Sequence, residues 1–185
     1  MLEQYLINHC APTLASLKTA NLFNCTAENP TALQMAVSRW QALQAPKGVE
    51  LLLLRESGNR ALVYVYRPDR LARDLQQPGV AAFLAHCGYT GTAPAACLDV
   101  LRRKLAVSSD FPHEIGLFLG YPLGDVIGFI ENHGQNCLCS GVWKVYTNPE
   151  AAAGAFRKFS KCTRVYRRLF FGGQRNVEQL TVKSA

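Results

Sequence analysis

This sequence predicts a mixed α/β fold in a single domain spanning residues 1–185, and three observations predict it. The chain is 49% apolar over 185 residues, enough to bury one sizeable core. Two β-rich runs, Val49 to Arg55 and Arg60 to Tyr66, flank Glu56-Ser57-Gly58-Asn59, a strong hairpin signal. Elsewhere, helical spacing alternates with short apolar runs, and no Ser/Gly/Pro-rich linker divides the chain.

The elements follow in order. Pro12 to Ala20 reads as a helix with proline at its first position, and Pro30 to Leu43 as a second helix capped by Asn29. After the hairpin, Pro68-Asp69 starts a helix towards Gln77, and Val80 to His86 reads as a short further helix. Ala95 to Val107 places Leu98, Leu101 and Leu105 on one helical face. The second half then reads β-α-β-α-β. Its elements are a strand at Ile115 to Leu119, a helix at Leu123 to Asn132, a strand at Val142 to Tyr146, a long helix and an edge strand at Gln179 to Val182. The long helix starts at Asn148-Pro149-Glu150, runs to about Phe170 and stops at Gly172-Gly173. Leu51, Leu53, Ile115, Leu117 and Val145 are the expected core residues.

Composition narrows the class. Charged residues make up 18%, too few for an extended disordered chain whose charges keep it open. Met1-Leu2-Glu3-Gln4-Tyr5 carries no basic region followed by an apolar stretch, so a cytoplasmic protein is expected. The apolar runs Leu51 to Leu54 and Ile115 to Leu119 are far too short to span a bilayer. Seven cysteines, an odd number at irregular spacing, fit reduced thiols better than a disulfide scaffold. Cys25, Cys87, Cys97 and Cys162 read as core thiols.

Cys10 carries the first chemical reading. In His9-Cys10-Ala11-Pro12 the thiol immediately precedes the expected helix start. Unpaired N–H groups and the positive end of the helix dipole there would favour thiolate. A later histidine, His113 or His133, would serve as base, with Asn136 or Asn148 as orienting groups for His133. Glu114 directly follows His113 on a segment expected to be extended, so the two would point to opposite faces.

The second reading is a metal site. His133-x3-Cys137-x-Cys139 gathers three soft ligands in one loop, with Cys162, His113 or Cys10 available to complete a zinc set. Thiolates equally suit iron–sulfur or copper(I) chemistry, so zinc and iron are the candidate cofactors.

Net charge is +7, and its location is informative. No acid lies between Glu150 and Glu178, while Arg157, Lys161, Arg164 and Arg168 recur at i, i+4, i+7 and i+11. Such a stripe would attract an anionic small molecule or an acidic protein partner. The chain carries no recognised RNA-binding motif, which ranks nucleic acid behind these.

Familiar motifs are excluded. His113-Glu114-Ile115-Gly116-Leu117 lacks a zincin's second histidine, and no Gly-Lys pair exists for a P-loop. Gly116, Gly120, Gly124 and Gly128 recur every fourth residue, unlike the dinucleotide fingerprint.

Three blocks, His9-Cys10-Ala11-Pro12-Thr13-Leu14, Phe111-Pro112-His113-Glu114-Ile115-Gly116 through Tyr121-Pro122, and Cys139 into Trp143-Lys144-Val145-Tyr146, carry a resemblance. They resemble the signature blocks of an uncharacterised family of small bacterial proteins, found largely in anaerobes. The resemblance implies no established activity, fold or cofactor, but it implies that the three blocks belong together in one site. On the thiol-enzyme reading, His9, Cys10, His113 and Glu114 are the candidate catalytic residues. Two functions follow as expectations: a small thiol enzyme acting on an anionic substrate, or a metal- or cofactor-binding protein built on His133, Cys137 and Cys139.

Overall fold

Strands β2 (Glu50–Ser57) and β3 (Arg60–Tyr66) form the expected hairpin, with Gly58 at φ 57° supplying the left-handed residue of its two-residue loop. In this computed structural model, which describes residues 2–26, 29–107 and 111–183, the hairpin gains a third strand. Strand β1 (Ala20–Thr26) pairs antiparallel with β3, giving the order β1-β3-β2. The expected helix over Pro12 to Ala20 is thus displaced: α1 runs over Leu2–Leu14 with Pro12 inside it. Leu2, Leu6, Ile7, Cys10 and Leu14 are the buried apolar stripe that outweighs the one backbone bond Pro12 removes.

The remaining elements are α2 (Pro30–Gln44), α3 (Pro68–Leu75), α4 (Val80–His86), α5 (Pro94–Val107), α6 (Ile115–Phe118), α7 (Leu123–Glu131), β4 (Cys139–Ser140), β5 (Lys144–Val145), α8 (Pro149–Phe171) and α9 (Val177–Leu180). The protein is therefore mixed α/β with antiparallel sheets. Its chain groups into two compact units, Met1–Arg70 with Lys161–Ala185, and Leu71–Ser160.

In the first unit one sheet face, carrying Phe23, Cys25, Leu51, Ala61, Val63 and Val65, packs against Leu6, Ile7 and Leu14 of α1 and Leu33, Val37 and Trp40 of α2. Arg67, 1% exposed, follows β3 and turns its guanidinium to the C-terminal end of α1. Its Nε donates to the Thr13 carbonyl at 2.7 Å, and its Nη2 to the Leu14 and Val182 carbonyls at 2.7 and 2.8 Å. A cation there satisfies helix-end carbonyls and opposes the negative end of the dipole. Burial holds Arg67 below its ordinary guanidinium value.

Three expected strands are corrected by the second half of the chain. Ile115 to Leu119 is helical, as α6, and every residue in it is buried. A short apolar run buried on all sides has no period to separate strand from helix. Gln179 to Val182 is preceded by a capping box, in which Asn176 Oδ1 accepts from the Gln179 N–H at 2.8 Å, so α9 forms instead. Val142 to Tyr146 shrinks to the two residues of β5, paired with β4 in a small second sheet. Of the expected core residues, Leu51, Ile115, Leu117 and Val145 are buried, and Leu53 is half-buried.

Asn29 and Asn148 cap as expected. Asn29 Oδ1 accepts from Thr31 N–H at 2.9 Å, and Asn148 Oδ1 from Ala151 N–H at 3.0 Å. Gly124 and Gly128 bring α7 against the strand turn: a Cβ would lie 2.6 Å from Thr147 at Gly124 and 2.5 Å from Tyr146 at Gly128. Among the described residues, no helix is long and apolar enough to cross a membrane.

Candidate ligand pocket

The close approach of α7 to the β4–β5 hairpin leaves a concavity of about 520 Å³ within the second unit. Ile115, Gly116, Leu119 and Val126 supply apolar lining, and Tyr121, Phe129 and Trp143 supply aromatic rings. His113 and Lys144, both exposed, are the basic groups lining it. Phe111 and Val142, 40% and 41% exposed, add apolar surface open to solvent. Two of the sequence blocks grouped above, around His113 and around Trp143, thus meet on one cavity.

Trp143 is fixed on three sides. It stacks on Tyr121 with centroids 4.9 Å apart, meets Phe156 edge-on at 4.6 Å, and donates its indole N–H to Asp125 Oδ2 at 2.8 Å. A Cβ on Gly141 would fall 2.3 Å from Phe156, so only glycine lets that ring sit behind the hairpin. Tyr121 donates its hydroxyl to the Val142 carbonyl at 3.3 Å, and burial pushes its phenol up to about 12. It remains a neutral donor at physiological pH.

Asp125 organises this wall. Lying in the first turn of α7, it accepts at Oδ1 from Tyr146 N–H at 2.8 Å, Thr147 N–H at 2.9 Å and Thr147 Oγ1 at 2.7 Å, besides Trp143 at Oδ2. Burial opposes its ionisation, but these hydrogen bonds outweigh burial and hold the carboxyl below its ordinary value. With its oxygens already taken up, Asp125 positions Trp143 and is not an open carboxylate.

Behind Phe129 lies a strained loop. His133 and Asn136 have φ of 50° and 55°, a region non-glycine residues seldom adopt. Lys144 Nζ donates to the Gly134 carbonyl, and Tyr146 donates its hydroxyl to the Gln135 carbonyl at 2.9 Å, pinning the segment. A Cβ on Gly134 would lie 3.0 Å from the Phe129 ring, so this loop also backs the pocket.

The residues singled out in the sequence distribute as follows. Cys10 lies inside α1, fully buried in the core of the first unit, rather than at a helix start. Burial pushes its thiol far above the ordinary range, opposed only in part by the charge of Lys18. The dipole argument for a thiolate therefore loses its premise. His9 is exposed and stacks on Tyr5 and Phe23, at 6.0 and 5.7 Å.

Glu114 is buried and turned towards Lys104 at 2.5 Å and the Tyr89 hydroxyl at 3.2 Å. It anchors α5 to the segment before α6, while His113 meets Phe129 edge-on at 5.0 Å. Exposed His133 and half-buried Cys137 and Cys139 stand in or beside the strained loop. Among the described residues, no three His, Cys, Asp or Glu are gathered to hold a metal ion. Arg157, Lys161, Arg164 and Arg168 all lie on α8 and are exposed, as their spacing requires. Cys25, Cys97 and Cys162 are buried and Cys87 is half-buried.

Asp125, Phe129 and Tyr121 were not among the expected site residues. An acid in the first turn of a helix behind Pro122 was the available signal for Asp125, and it reads equally well as a dipole partner. No curated protein and no solved structure matches the chain. A family profile covers residues 6–181. The chain belongs to the family described as protein of unknown function (DUF3793).

Proposed function

We propose that this protein binds a small, flat, largely apolar molecule bearing an anionic group, in the pocket of its second unit. The carrying observation is the composition of the lining: rigidly held aromatic rings over an apolar floor, with His113 and Lys144 as basic groups and the nearby carboxylate, Asp125, already saturated. Aromatic faces take up a planar body at little entropic cost, and two cationic or donor side chains orient a carboxylate or sulfonate. Lys144 Nζ spends one of its three donors on Gly134 and keeps others for a ligand.

Trp143 supplies the readout. The chain has two tryptophans, so Trp40→Phe isolates the pocket indole. Titrating that variant with 2-naphthoate should perturb Trp143 emission saturably, and 2-naphthylamine should bind more weakly because it lacks the anion. His113→Ala and Lys144→Ala should each weaken 2-naphthoate binding several-fold without changing the circular dichroism spectrum. Equal affinity for the amine, or affinity indifferent to both substitutions, would overturn the reading.

A further inference from the structure

A second concavity, of about 630 Å³, opens on the three-stranded sheet of the first unit, and its lining is polar. Its residues are fixed by strand register. Thr26, Arg60 and Ser57 form one row across β1, β3 and β2, and Asn24, Leu62 and Arg55 form the next row. Residues two apart on a strand share a face, so these six present one grid. Leu62, 4% exposed, is its floor; Arg55 and Arg60 are exposed and stand on diagonal positions. Diagonal neighbours are about 7–8 Å apart at the backbone, close enough for two long side chains to reach one group.

Like charges so placed repel unless something negative lies between them. Glu56, the carboxylate next to Arg55, alternates to the other face, where Gln34 Nε2 donates to it at 3.2 Å. Among the described residues, the side chains of Asn24, Thr26, Arg55, Ser57 and Arg60 make no hydrogen bond or ion pair with the protein, although all of them can donate.

We propose that this concavity binds a phosphate-bearing small molecule. The two guanidinium forks hold the phosphate oxygens, and Thr26, Ser57 and Asn24 donate to those remaining. Two arginines and three further donors exceed what the two oxygens of one carboxylate use, but match a phosphate's three terminal oxygens and its charge of nearly −2. The cavity is far larger than orthophosphate, leaving room for a second phosphate or an organic part. The site lies wholly in the first unit and is independent of the aromatic pocket.

Calorimetric titration of the full chain with pyrophosphate at low ionic strength tests the proposal. Binding is expected to weaken as salt rises and to exceed that of succinate. Arg55→Gln and Arg60→Gln should each lower pyrophosphate affinity by about tenfold, the loss of one charged hydrogen bond. Arg164→Gln/Arg168→Gln on α8 should leave it within about twofold, because those cations lie outside the grid. Should a glutamine variant fail to fold, Arg55→Lys and Arg60→Lys keep the charge, lose the fork and should bind at intermediate strength. Absence of binding at millimolar pyrophosphate, succinate binding as tightly, or equal loss in the α8 double variant would each overturn it.

Discussion

Trp143 donates its indole N–H to Asp125 at 2.8 Å, and this one bond ties the β4–β5 hairpin to the first turn of α7. Since the same carboxylate also accepts from Tyr146 and Thr147, removing it leaves several donors without partners. Asp125→Ala should therefore destabilise the protein by about 3 kcal/mol, the scale for stripping a buried, hydrogen-bonded charge. In the Trp40→Phe background it should also shift Trp143 emission to the red. Unchanged stability in urea titration would show that the hairpin is held without it.

Asp125 further predicts an acid-side loss. Its folded pKa lies below its unfolded value, so its contribution is complete above the unfolded pKa, near 3.8, and is lost as pH falls through the depressed folded value. Urea titrations below pH 4 should show wild type approaching Asp125→Ala in stability. A gap that stays constant through this range would contradict the assignment.

Lys18 predicts the alkaline side. Buried at 5% exposure, with its Nζ donating to the Ala20 carbonyl, it is lowered by burial from 10.5 to about 7, against the opposing effect of Cys10. Between those values the unfolded chain holds a proton that the folded chain does not, so stability rises with pH. Above about pH 9, Cys10, raised by burial, works in the opposite direction, because there the folded state retains a proton that the unfolded state loses. Lys18→Met should flatten the rise between pH 7 and 9 in chemical denaturation. An unaltered slope would mean Lys18 stays charged in the fold.

Arg67 should be the costliest substitution in the first unit. Arg67→Met leaves the Thr13, Leu14 and Val182 carbonyls without their cationic donor and should cost about 3–5 kcal/mol. Arg67→Lys should recover only part, since an ammonium cannot reproduce the planar fork. A melting temperature within two or three degrees of wild type for Arg67→Met would refute this. By contrast, Arg164→Glu/Arg168→Glu should shift it by no more than about 2 °C, both residues being exposed.

Cysteine labelling separates the thiols. Native Cys10 should resist iodoacetamide, being fully buried and held as thiol, while half-buried Cys137 and Cys139 react ahead of it and of Cys87, whose thiol burial also raises. Rapid modification of Cys10 in the folded protein, read by peptide mass, would restore the nucleophile reading.

Local chemistry was legible wherever one residue decides the backbone. Gly58 marked the hairpin, Asn29 and Asn148 their helices, and the spacing of Arg157, Lys161, Arg164 and Arg168 an exposed face. What failed depended on competition between signals. Pro12 reads as a helix start because proline favours that position, yet the apolar stripe from Leu2 to Leu14 extends the helix through it. Strand β1 was hidden because its inward residues, Phe23 and Cys25, alternate with residues that a helix would also accept. The pocket depended on Asp125, whose partners lie twenty or so residues away and leave no trace in local spacing.

The split of the first unit across residues 1–70 and 161–185 bears on how the chain is made. Val177 and Leu180 belong to the core built on α1, α2 and the sheet, and Val182 donates its N–H to the Leu14 carbonyl at 2.9 Å. On the ribosome, residues 1–70 must therefore wait for the ninety residues 71–160 before Val177 and Leu180 can complete their core. The continuous segment Leu71–Ser160 has no such delay. During that interval the part of this core that Val177 and Leu180 go on to cover is the surface a chaperone would meet.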